Sequence, residues 1–124
     1  MINKTLIAYS GNSDLESGLY TCSGDIVTTN NMQDAMSLLH RENFSEVVIF
    51  LGLRGGDKKP EISPEMARRF GIYAREMTLA ERANSFECVK KVSVVADEDT
   101  HLDHLRLSCE KLGINYKLIV SEGP

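Results

Sequence analysis

The chain has 124 residues, 42% hydrophobic and 26% charged, a composition that fits one globular domain over residues 1–124 and excludes a disordered or fibrous chain. Its formal net charge of −4, with the basic residues scattered, argues against a nucleic-acid or anionic-membrane partner. The longest apolar run, Val47 to Leu51, is far short of the roughly 20 residues that cross a bilayer; with no targeting segment and three widely spaced cysteines (Cys22, Cys88, Cys109) lacking a C-x-x-C pair, the expected setting is the cytoplasm, with reduced thiols.

Lys4 to Tyr9 is a short apolar run ended by Ser10-Gly11-Asn12-Ser13, which reads as a buried strand entering a turn. Ile26 to Thr29 is β-branched and extended, with the character of an edge strand. Ala35, Leu38 and Leu39 keep helical spacing from Asn31 to about Arg41, with Asn30 or Asn31 as the cap. Glu46 to Leu51 is apolar without alternation, as expected of a central strand covered on both faces. Ser63-Pro64-Glu65 then supplies a cap, a first-turn proline and an acidic residue for a helix to Phe70, and Gly71 stops it.

Two readings compete for the next stretch. Met66, Phe70, Tyr73, Met77 and Ala80 are spaced as on one long amphipathic helix, but Gly71 interrupts it and Thr78-Leu79-Ala80-Glu81 has the form of a capping box. The second reading, with Ile72 to Arg75 as a short strand between two helices, is preferred. Val92 to Ala96 is a strand; Leu102, Leu105 and Cys109 mark a helix face running to Leu112; Gly113 ends that helix, and Tyr116 to Val120 is a final strand. The alternation implies an α/β fold: a three-layer, Rossmann-like or flavodoxin-like open sheet, mainly parallel, of about five or six strands.

In such sheets ligands sit at the carboxyl ends of the strands, where helix N-termini and loop N–H groups converge. Three loops fall there. Ser10, Gly11 and Asn12 could cradle an anion. Arg54, Gly55 and Gly56 combine a planar cation with a backbone that permits close approach. Asp97 to His104 is rich in carboxylates and imidazoles; Asp97, Asp99 and His101 are its candidate metal ligands, although acidic residues in a first helical turn are accounted for by the helix dipole, and a divalent metal is disfavoured.

Two families share parts of this pattern; the first, which implies a small-ligand pocket, is the preferred reading and the second the alternative. The small-residue turn at Ser10-Gly11, the strand Val47 to Leu51 followed by Gly55-Gly56, Ser63-Pro64-Glu65-Met66-Ala67, the positions of Glu76, Thr78 and Asn84, and the strand leading to His101 together resemble the SanA/YdcF-like family of Rossmann-like domains. That resemblance implies a pocket for a small anionic or nucleotide-like ligand, with S-adenosylmethionine among the compounds to test, at Ser10, Gly11, Asn12, Arg54, Gly55, Gly56, Asp97 and His101. Thr28 to Ala35, the following helix and the strand Val47 to Leu51 also resemble the second and third strands of response-regulator receivers. A phosphorylatable receiver carries an aspartate at the end of its third strand and acidic residues after its first. Here Phe50-Leu51-Gly52 and Ser10-Gly11 stand instead, so the resemblance implies a pseudo-receiver that binds a protein partner through an apolar surface.

Overall fold

A computed structural model of the chain describes residues 4–9, 25–52, 63–97 and 101–119. Strands β1 (Lys4–Ala8), β2 (Asp25–Thr29), β3 (Glu46–Phe50), β4 (Lys91–Asp97) and β5 (Asn115–Ile119) form a parallel sheet in the order β2-β1-β3-β4-β5. The described helices are α1 (Met32–Arg41), α2 (Pro64–Phe70), α3 (Ala74–Asn84) and α4 (Asp103–Leu112). This is the doubly wound, flavodoxin-like strand order, with its reversal at β1.

The unbroken apolar runs follow from burial on both sides of the sheet. Leu6 and Ala8 of β1, Val47 and Ile49 of β3, and Val92, Val94 and Ala96 of β4 join the main core, against which all four described helices pack. Ile7, Val48, Phe50 and Val95 point the other way into a second buried cluster with Tyr9 against it. At the sheet's margin β2 buries little, and Ile26 is exposed, in keeping with its edge position.

Asn31 starts α1: its backbone is extended and its Oδ1 accepts from the N–H groups of Gln33 at 2.8 Å and Asp34 at 3.2 Å, while Met32, Ala35 and Leu39 are buried. Two of the four orphan N–H groups of the helix are thereby satisfied. Asn31→Ala is expected to lower the unfolding free energy by about 1 kcal/mol in urea titration, with the slope of the transition unchanged.

The stretch after α2 corrects the sequence reading. Residues Ile72 to Arg75 are not a strand: Gly71–Tyr73 is a turn of 3-10 helix and α3 begins at Ala74. Nor is there one long helix. Gly71 takes φ +55°, a conformation that side-chain-bearing residues rarely adopt, and reverses the chain. Ser63 and Met66 of the α2 end then line one groove with Thr78, Glu81, Arg82 and Ser85 of α3, so the helices fold back on each other. Burial decides between strand and helix here. Phe70, Tyr73, Ala74, Met77 and Ala80 all enter the main core, which helical spacing permits and strand alternation would forbid. Thr78 does not cap a new helix; its Oγ1 donates to the Ala74 carbonyl at 2.7 Å, one turn back within α3. Among the described residues the sheet therefore has five strands.

In α4, Leu105 and Cys109 face the core and Gly113 closes the helix at φ +75°. Leu102, expected on the buried face, is instead the N-cap residue and is exposed. Burial pushes the Cys109 thiol from 9.0 up to about 11. Because the folded state holds this proton more tightly than the unfolded chain, the stabilisation is complete below pH 9 and is lost as pH rises through 11. We expect a loss on the order of 2 kcal/mol across that window, absent in Cys109→Ala, and no alkylation of Cys109 in the folded protein at neutral pH. Among the described residues no helix is long and apolar enough to cross a membrane.

Candidate functional site

All five strands point the same way, so one edge of the sheet collects Tyr9, the Leu51-Gly52 turn, the end of β4 at Asp97 and the segment from β4 to α4 that carries His101. This is the edge on which the sequence places the candidate ligand residues. Ser10, Gly11, Asn12, Arg54, Gly55, Gly56 and Asp99 lie outside the described residues, and of Asp97 the backbone alone is described.

His101 can be followed in full. Its Nδ1 is 2.7 Å from the Tyr116 hydroxyl and its Nε2 is 3.0 Å from Asp103 Oδ1. An ionised carboxylate only accepts, so Nε2 carries a proton and donates to Asp103, while Nδ1 shares a hydrogen bond with Tyr116 Oη. Burial raises the Tyr116 phenol above its ordinary value, against a smaller opposing effect of a backbone hydrogen bond from Leu102. The phenol is thus neutral at physiological pH, not an activated nucleophile. The chain Tyr116–His101–Asp103 ties the start of α4 to β5. Both ring nitrogens are committed within it, so a metal or ligand at His101 has to displace one of these bonds. Among the described residues no three His, Cys, Asp or Glu side chains converge as a metal site.

At the end of β3 stands a group that the sequence reading placed only in a family pattern. Glu76, in the first turn of α3, is 3% exposed, and its Oε2 accepts from the Gly52 N–H at 2.9 Å. Leu51, just before, donates its N–H to the Val95 carbonyl at 3.0 Å and is itself buried, as is Phe50. Glu76 therefore reaches from the crossover helix into the turn that leaves the central strand. A sequence signal for it exists: Glu76, Leu79, Ala80 and Ala83 stand at i, i+3, i+4 and i+7, so a carboxylate heads an otherwise apolar helix stripe.

The groove between α2 and α3, about 310 Å³, contains none of the expected ligand residues. Its hydroxyls are already used. Ser63 Oγ accepts from the Met66 N–H, Thr78 Oγ1 donates to Ala74, and Ser85 Oγ donates to the Arg82 carbonyl.

The fold is that of a flavodoxin-like α/β domain. The chain is similar in structure to the signal receiver domain assigned to a Luxo repressor protein from Vibrio parahaemolyticus, with a TM-score of 0.58 at 13% identity over 100% of this chain and 82% of that one. It is likewise similar to the phosphorylated cyanobacterial phytochrome response regulator RcpA, with a TM-score of 0.58 at 14% identity over 99% of this chain and 84% of that one. At such identities the likeness is one of fold. No protein-family model and no curated protein sequence matches the chain.

Proposed function

We propose that this chain is a non-phosphorylatable receiver-like module that acts by binding a protein partner. The observation that carries the reading is the end of β3. Where a phosphorylatable receiver presents its acceptor aspartate, this chain has Phe50 and Leu51, both buried, followed by Gly52, whose N–H is already taken by Glu76. The receiver-like strand order and the two receiver structures of the same fold support this reading over the SanA/YdcF-like one, for which the comparisons offer nothing. Four large apolar side chains are exposed among the described residues, and three of them, Leu102, Leu107 and Leu118, belong to α4, its cap and the neighbouring β5.

The test is to incubate the purified chain with acetyl phosphate and Mg²⁺ and weigh the intact protein. No phosphoryl adduct is expected; a stoichiometric adduct on a carboxylate overturns the reading. A thermal-shift screen with nucleotides and S-adenosylmethionine addresses the small-ligand alternative, because a compound that binds only the folded state raises its apparent stability. A saturable shift with any of them reinstates a ligand pocket on this edge.

A further inference from the structure

The turn after β3 holds a buried carboxylate of the chain's own on a backbone N–H. Strand order reverses at β1, so the crevice of the sheet opens between the carboxyl ends of β1 and β3, the place where open parallel sheets take ligands. The first turn of α3 is at the same place, since Glu76 within it reaches Gly52. A backbone N–H favours negative charge; the first N–H of α3, that of Ala74, is already taken by the Gly71 carbonyl. A carboxylate withdrawn from water is destabilised by several kcal/mol unless donors replace its hydration. Glu76 is withdrawn almost completely, and the Gly52 N–H is among the donors that receive it.

We propose that Glu76 is an internal ligand: it occupies an oxyanion site at the strand-order reversal, excludes external phosphate or carboxylate, and fixes the turn after β3 in one state without covalent modification. The functional meaning of this lock, a module whose partner surface is presented constitutively, rests on the receiver-like reading above. The lock itself rests on the Glu76–Gly52 geometry.

The experiment uses the full chain, with formate and inorganic phosphate as probes, reading amide exchange at Gly52 and the thermal midpoint. Wild type is expected to respond to neither anion beyond what chloride does at equal ionic strength. In Glu76→Ala, exchange at Gly52 rises by roughly a hundredfold, and formate, small enough to enter the vacated space, slows it again and raises the midpoint. Two results overturn the proposal: a folded Glu76→Ala in which Gly52 stays as protected as in wild type, or a wild type that takes up formate or phosphate as readily as the variant. Glu76→Gln keeps an acceptor oxygen while removing the charge, so it covers the case in which the alanine variant does not fold. Its Gly52 should exchange about tenfold faster than in wild type, since hydrogen bonds to charged groups are the stronger; equal protection in the two proteins also overturns the proposal. A phosphoryl adduct from acetyl phosphate would defeat the preceding reading without touching the Glu76–Gly52 contact. Conversely, an anion-indifferent Glu76→Ala defeats the lock and leaves that reading standing.

Discussion

Replacing Phe70 with alanine is expected to lower the unfolding free energy by about 3–5 kcal/mol, the range for removing a buried aromatic side chain. Phe70 is 2% exposed and is the one fully buried residue of α2. The rest of that helix has little to hold it: Met66 is half-buried, and the Glu65–Arg69 ion pair is exposed, at 3.9 Å. The ring also underlies the Arg69 guanidinium, 4.9 Å from its centroid. A helix of this length has no stability of its own in water, so loss of the anchor should release α2 as a unit. Hydrogen exchange separates this outcome from general weakening. Amides of α2 should lose protection at denaturant concentrations where those of β3 and β4 keep theirs. Equal loss in both would mean that the α2–α3 turn folds as one cooperative block with the sheet.

Glu76→Ala is the second large effect, expected at about 2–4 kcal/mol by urea titration. Two costs combine: the Gly52 N–H is left without its acceptor, and a cavity opens beneath α3 where Met77, Leu79 and Ala80 are tightly buried. Glu76→Gln should cost about 1 kcal/mol, because acceptor and volume persist. If the two variants lose the same amount, the charge is the stabilising element and the retained acceptor counts for little. If Glu76→Leu proves more stable than wild type, the carboxylate is kept for a purpose other than stability, as buried charges sometimes are.

Much of the architecture was legible because each strand and most helices carry their own local signal. β3 and β4 are apolar at consecutive positions, Asn31 and Ser63 cap the helices they precede, and Gly113 marks the end of α4. What local signals could not weigh was competition. Thr78 has a capping residue's chemistry, yet once Tyr73, Ala74 and Met77 are drawn into the core its hydroxyl bonds back to Ala74 instead. Leu102 obeys the spacing of the α4 stripe, yet it falls one residue before the helix and stays exposed. The candidate site was less legible for a related reason. His101 was found from its place after a strand, but its partner Tyr116 lies 15 residues away on another strand. Glu76 and Gly52 are 24 residues apart, and only the crossover brings them together.

The strand order also bears on how the chain reaches this state as it is made. β1 cannot complete its pairing until β3 exists: the Ser45 hydroxyl donates to the Lys4 carbonyl, 41 positions earlier in the chain. From then on every strand docks on the outer flank of the one synthesised just before it, β4 on β3 and β5 on β4. The two long closures, β3 on β1 and then β4 on β3, should set the folding rate. The sheet can grow outward in the order of synthesis, so an emerging chain never has to insert a late strand between two already joined.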